Sequence, residues 1–253
     1  MNKILKSLLD SPIIQIPITL IVYAFYASII GFCISPSIFL IIFGINKFII
    51  GINLFTPNGI INILIFSLLI GVSIYIYFIF GIIIMGVMIK IISLGIKEGK
   101  HDMMSFTMFR WLIYSGIFMI VVNTILPLNR MTFFSTLFFR IIGCKIGKNV
   151  YIDTPNLNDP MFLEMGNNVV VGGLTNISCH IFENNKLVLG KIKIGDNTLI
   201  GTNCYILPNV TIGKNCNIGM YSFIRKNKEI PDGAVISAIS GMPLKKVIKF
   251  ENE

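Results

Sequence analysis

The chain has 253 residues, enough for one or two domains, and is 54% hydrophobic but only 13% charged. A soluble domain is about a quarter charged, so the composition excludes an ordinary water-soluble globule throughout. The net charge of +9 raises nucleic acid as a partner, but no recognition motif accompanies it and none is expected.

The missing charge belongs to the first half. No charged residue stands between Asp10 and Lys47, or between Lys47 and Lys90. About 20 apolar residues cross a bilayer core, and one cleavable signal peptide cannot account for this apolar length. Spans are predicted near 13–33, 37–55 and 60–88, with a fourth near 111–126. Pro36 and "TPNG" at 56–59 mark the breaks. Lys47 inside the second span is costly unless it snorkels or faces protein.

Orientation rests on conflicting signs. Lys3 and Lys6 favour a cytoplasmic N-terminus, whereas Lys90, Lys97, Lys100 and Arg110 oppose it if four segments cross. A re-entrant or surface-lying fourth segment, with an external N-terminus, resolves the conflict. Either way the expectation is a multi-pass plasma-membrane protein with its C-terminal part facing the cytoplasm. Arg130, Arg140, Lys145 and Lys148 follow the last apolar segment, where anionic headgroups attract them. Membrane lipids are therefore expected partners.

From Ile194 onward isoleucine returns at every sixth residue: Ile194, Ile200, Ile206, Ile212, Ile218, Ile224, Ile230 and Ile236. Neither a helix nor a simple strand has this period. A fixed repeat signals a solenoid of stacked units. Each unit reads as a short parallel strand with its isoleucine inward, then a tight turn. Gly195, Gly201, Gly213 and Gly219 follow several of the isoleucines, where a turn or a close backbone approach favours glycine. Thr198, Cys204, Val210, Cys216 and Ser222 take a second, smaller position. Three units make one triangular coil, which stacks residues 18 apart.

Upstream, Ile146, Ile152, Met165, Val171 and Ile177 keep the rhythm around two interruptions. These are "TPNLNDPMFLE" and "SCHIFENNKLVLGKIK". Insertions in solenoids map to loops on one face, often a binding face. The predicted organisation is a transmembrane helical region of three or four spans at 1–130, a connector at 131–145 and a β-helix at 146–253.

The five cysteines show no pairing pattern and no zinc spacing, so no metal site is expected. Cys204 and Cys216 read as small inner fillers. Cys179, beside His180, leaves a thiol nucleophile open. Only two histidines exist. His101, in "KEGKHDMM", reads as a solvated loop residue, while His180 lies in the second interruption. There is no Gly-x-Ser-x-Gly elbow. Nor does either histidine start a His-x4-Asp motif, since Phe106 and Asn185 stand five residues on.

The hexads, the inserted histidine and the closing "ISGMPLKKVI" resemble hexapeptide-repeat acyltransferases. Gly241, Pro243 and Lys245 match that family's ending, while Leu244 departs from it. "GMYSFIRKNKEIP" places Lys226 where the family has a lysine. The apolar spans with "FFRIIGCKIG" and "NISCHIFENNKLVLGKIKIGDN" also resemble a narrower group, the membrane-embedded C-terminal modules of polylysine-synthetase-type peptide synthetases. No adenylation or carrier domain fits in 253 residues, so peptide polymerisation by this chain alone is not expected.

The resemblance implies a fold: an N-terminal α-helical transmembrane bundle followed by an all-β left-handed parallel β-helix. It implies His180 as general base. Glu183, on the same loop, is either its orienting carboxylate or a solvated side chain. An acyl-CoA co-substrate would run along the coils, with Gly201 and Gly219 allowing close approach and Lys226 and Lys245 meeting its phosphates. A carrier-protein phosphopantetheine thioester would present the same arm. The expected assembly is a homotrimer. The expected function is transfer of an acyl group, acetyl by preference, to a hydroxyl or amine of a membrane-associated acceptor. Amide formation from a carrier-protein thioester and a non-catalytic scaffold are the alternatives.

Overall fold

The computed structural model describes residues 12–50 and 56–236. Lys245, with Gly241 and Pro243 of the closing motif, lies outside the described residues, as do Lys3 and Lys6. The chain divides into two compact units, Met1–Ile84 and Met85–Glu253.

Two long helices dominate the first part: α1 (Pro12–Phe48) and α2 (Pro57–Ser93), the latter running past the unit boundary. The break expected at Pro36 does not occur, and α1 replaces the spans read at 13–33 and 37–55. Proline removes an N–H and leaves the carbonyl of residue i−4, here Phe32, without its helical partner. The Ser35 hydroxyl donates to that carbonyl at 2.9 Å. The freed group is satisfied locally and the helix continues. The buried Ser37 Oγ donates to the Ser73 carbonyl of α2 at 2.6 Å. A Cβ at Gly44 would lie 2.9 Å from the Phe66 ring, so glycine lets α1 and α2 approach here.

The second expected break is real and has a physical cause. Thr56 caps α2 by accepting from the Gly59 N–H at 3.1 Å, and Pro57 opens the helix where no N–H is needed. Lys47 lies in the last turn of α1 rather than mid-span, within 5.5 Å of the Phe43 and Phe48 ring centres. A cation there complements the helix dipole, which removes the expected penalty. Among the described residues, three helices are long and apolar enough to cross a membrane, rather than four segments.

In the second unit, strand β1 (Gly99–Asp102) precedes α3 (Phe106–Thr124), which Ser105 caps through the Met108 N–H. The guanidinium of Arg110 donates to the Ile92 and Leu94 carbonyls at the end of α2. It thereby serves helix-terminal acceptors that would otherwise lack partners. α3 buries Met108, Trp111, Tyr114, Ile117, Phe118 and Val121 along one face. A 3₁₀ turn (Leu126–Leu128) and α4 (Phe133–Ile141) follow, with the Phe118 and Phe138 rings stacked at 6.2 Å. Three of the four basic residues expected at lipid headgroups have protein partners. Arg140 donates to the Ile146 and Gly147 carbonyls, Arg130 is 3.9 Å from Asp153, and Lys145 is 2.7 Å from Glu164.

From Lys145 onward the chain winds as a three-sided parallel β-helix. One sheet holds β2 (Lys145–Ile146), β5 (Leu163–Met165), β10 (Ile192–Ile194), β13 (Thr211–Ile212) and β16 (Glu229–Ile230). The second holds β3 (Tyr151–Ile152), β6 (Val170–Val171), β11 (Leu199–Ile200), β14 (Asn217–Ile218) and β17 (Val235–Ile236). The third holds β4 (Leu157–Asn158), β7 (Asn176–Ser178), β12 (Tyr205–Ile206) and β15 (Phe223–Ile224). Ile194 pairs in register with Met165 and Ile212, and Ile200 with Val171 and Ile218. The inward side chains are buried, as the repeat predicts.

The corners explain the turn residues. Asn149, Asn168, Asn197 and Asn215 all take positive φ near 54°, which asparagine tolerates better than most side chains. Their amides also hydrogen-bond from one coil to the next at 2.9–3.2 Å. A Cβ at Gly201 would lie 2.6 Å from the Met220 backbone nitrogen. Coil stacking alone therefore requires that glycine.

The second interruption is an ordered hairpin of β8 (His180–Glu183) and β9 (Lys186–Leu189), antiparallel through a two-residue turn. Asn184 and Asn185 carry positive φ of 50° and 59°, the geometry that matches a hairpin's twist. β1 adds to β9 and completes a three-stranded sheet. His101 is thus not a solvated loop residue. It sits half-buried in β1 opposite Leu187, with Nε2 2.8 Å from the Lys97 carbonyl.

Candidate active site

Both interruptions of the repeat and one apolar helix meet at His180. The first interruption turns at Asp159, in left-handed backbone geometry (φ 54°, ψ 53°), before the 3₁₀ turn Pro160–Phe162. Its carboxylate is 2% exposed and faces inward. Oδ2 lies 2.5 Å from His180 Nδ1, and Oδ1 accepts from Trp111 Nε1 at 2.7 Å. A buried carboxylate needs partners for both oxygens, and these two donors supply them. The Ser178 hydroxyl donates to the His180 carbonyl at 2.9 Å and fixes the start of β8.

The imidazole packs against aromatic edges. The Trp111 ring centre is 4.9 Å away and that of Phe182 6.1 Å, both edge-on. The side chain remains 23% exposed, and among the described residues no hydrogen bond engages Nε2. Hydrogen bonding at Nδ1 to a carboxylate stabilises the tautomer whose Nε2 lone pair can accept a proton. The arrangement has the parts of a general base with an orienting carboxylate.

Glu183 is not that carboxylate. At the far end of β8 it bonds Lys226, which follows β15. Two residues expected in separate roles thus pair with each other. The bond from Lys226, aided by its charge, holds the Glu183 carboxyl below its ordinary range. A folded-state value lowered in this way means the contribution is complete above about pH 4.3. It is lost as pH falls through the lower folded value. Amide exchange across β8 and β9, corrected for intrinsic rates, should therefore accelerate relative to the coils in acid. Glu183→Gln should show the same loss at neutral pH. Full protection in that variant would mean that the ladder with β1 holds the hairpin unaided.

Cys179 lies fully buried inside the coil, and desolvation pushes its thiol well above the ordinary value. A nucleophilic cysteine needs the opposite environment, so the thiol alternative loses its support. Gly201 and Gly219 sit on adjacent coils, with Gly201 N–H donating to the Ile218 carbonyl at 2.7 Å. No cluster of metal-ligating side chains occurs among the described residues.

Sequence reasoning missed Asp159 and Trp111. One signal was available for the aspartate. Left-handed corners elsewhere carry asparagine at 149, 168, 197, 203, 209, 215 and 227, with Leu174 and Tyr221 as exceptions, and here aspartate stands instead, with proline behind it. Trp111, the single tryptophan, marks in the sequence only the start of an apolar span.

Residues 191–226 match the family described as bacterial transferase hexapeptide (six repeats). The chain is 26% identical over 155 residues to delta-poly-L-ornithine synthetase of Acinetobacter baumannii, covering 60% of this chain and 12% of that protein. It is 30% identical over 103 residues to YvoF of Bacillus subtilis, a protein whose name assigns it provisionally to the acetyltransferases. That match covers 40% of this chain and 59% of YvoF. Among solved structures, a maltose O-acetyltransferase from Clostridium difficile is 20% identical, with a TM-score of 0.44. It aligns with 61% of this chain and 94% of that one. The chain thus spans about an eighth and three fifths of the two curated relatives.

Proposed function

Residues 191–226 carry the bacterial transferase hexapeptide repeat, and on that premise we propose that this protein is a membrane-bound acyltransferase. It moves an acyl group, acetyl by preference, from a coenzyme A thioester to a hydroxyl or amine on a membrane-associated acceptor such as a surface glycan, a lipid-linked sugar or an amine. The observation that carries this reading is His180 held through Nδ1 by the buried Asp159, with Nε2 open. Three helices long and apolar enough to cross a membrane support the membrane-bound part of this reading. The β-helix is left-handed and faces the cytoplasm, where acyl-CoA is available.

The chemistry follows from the dyad. His180 Nε2 takes the proton from the acceptor O–H or N–H as its oxygen or nitrogen attacks the thioester carbonyl. Asp159 keeps the Nδ1 proton in place and stabilises the imidazolium that forms. The tetrahedral intermediate then expels the coenzyme A thiolate, which recovers that proton from the imidazolium. Lys226 and Lys245 meet the donor's phosphates as point charges. Because Lys226 bonds Glu183 here, donor phosphates compete with that carboxylate.

A homotrimer with a shared donor cleft completes the proposal. It is supported by a line of exposed apolar side chains on the second sheet (Tyr151, Val170, Leu199) and by Tyr205 and Phe223 on the third. Outward apolar ladders of this kind favour burial against another surface. The similarity to delta-poly-L-ornithine synthetase favours a second reading, amide formation on an amine acceptor from a carrier-protein thioester.

The test uses the full chain in lipid nanodiscs with radiolabelled acetyl-CoA and a membrane lipid and glycan extract. Label should move into the extract in proportion to coenzyme A release, and His180→Ala should lower both about 10²–10⁴-fold. Transfer only from an acetylated carrier protein would select the second reading. Absence of transfer from either donor would overturn the enzyme assignment.

A further inference from the structure

Trp111 has no part in the proposed chemistry, yet its indole N–H takes one oxygen of the carboxylate that holds the base. It is 5% exposed, and its ring touches both the imidazole and Phe182, at 4.9 and 5.5 Å between centres. It sits in the second turn of α3 and reaches Asp159, 48 residues further along the chain. We infer that Trp111 is a positioning residue, which acts on His180 through Asp159 and ties the base to an apolar helix. The inference rests on the acyl-transfer reading only for its kinetic consequence.

The physical argument concerns how one carboxylate divides between two donors. With Oδ1 committed to the indole, Oδ2 is the oxygen left for Nδ1, and the side chain cannot rotate without leaving a buried donor unpaired. The indole bond also draws charge from the carboxylate, which moderates how strongly Asp159 stabilises the imidazolium. Among the described residues, the other groups facing this pair add no opposite charge. Ser178 Oγ is 3.4 Å from Nδ1, the Cys179 thiol is buried beside it, and the Tyr114 hydroxyl on α3 is buried and interacts electrostatically with Asp159. Glu183 and Lys226 pair with each other at the far end of β8. Removing the indole donor should therefore return charge to Oδ2 and favour protonated His180.

The experiment replaces Trp111 in two ways: Trp111→Phe, and 3-benzothienylalanine, which keeps the ring size but puts sulfur in place of N–H. His101→Gln leaves His180 as the single histidine, so ¹⁵N-histidine labelling reads one imidazole without any acyl donor. In both variants the titration midpoint of the single histidine should rise. The acidic limb of the kcat profile should move up with it, and kcat at neutral pH should fall about tenfold while donor KM holds within twofold. If Trp111→Phe fails to fold, the isostere decides. A benzothienyl variant that matches wild type in titration and pH limb overturns the inference. A shifted titration in a chain without acyl transfer would instead sustain the positioning role and remove the proposed function.

Discussion

Replacing His180 with alanine should lower turnover about 10²–10⁴-fold, the usual worth of a positioned general base. The fold should survive because the imidazole is partly exposed at the base of β8, and the hairpin is held by its ladders to β9 and β1. The loss should appear in kcat, with donor KM little changed, since the base acts on the proton rather than on the donor. Alanine leaves Asp159 bonded to Trp111, so the buried carboxylate keeps one partner. The measurement is initial-rate acyl transfer in nanodiscs beside a thermal melt. Wild-type turnover from a folded His180→Ala protein would remove this residue from the mechanism.

Asp159→Asn should approach the same loss, about 10²–10⁴-fold, for a different reason. An asparagine at 159 has one acceptor where aspartate has two. If its carbonyl keeps the Trp111 N–H, its amide N–H₂ faces His180 Nδ1. The imidazole then accepts at Nδ1 and carries its proton on Nε2, the tautomer that cannot take a proton from the acceptor. Asparagine tolerates the left-handed backbone at this position, as it does at the other corners, so the fold should hold. Asp159→Ala should differ by also lowering stability, by about 1–3 kcal/mol, because the buried indole N–H loses its partner. Rates near wild type in a folded Asp159→Asn protein would exclude the dyad.

The candidate site was legible in part. His180 stood out because it interrupts a strict repeat, and interruptions of a solenoid are where function departs from packing. Glu183 was the natural orienting carboxylate by sequence distance. In a strand, however, residues 180 and 183 point to opposite sides of the hairpin, and Glu183 meets Lys226 instead. Pro36 likewise looked like a helix end, and one serine hydroxyl on the preceding residue kept the helix whole.

Sequence by itself determined the β-helix. Each coil repeats one local rule, inward isoleucine followed by a turn, so residues 18 apart along the chain are neighbours in space, and the period is visible without coordinates. It also determined that the first half is apolar on the scale of membrane-crossing helices, since charge is absent over spans longer than a bilayer requires. Only the tertiary structure decided the candidate constellation around His180. Asp159 and His180 are 21 residues apart and Trp111 a further 48 before Asp159, on an irregular turn, a hairpin and a helix that share no period. Their meeting depends on how three different elements pack around one buried carboxylate, and no linear pattern encodes that.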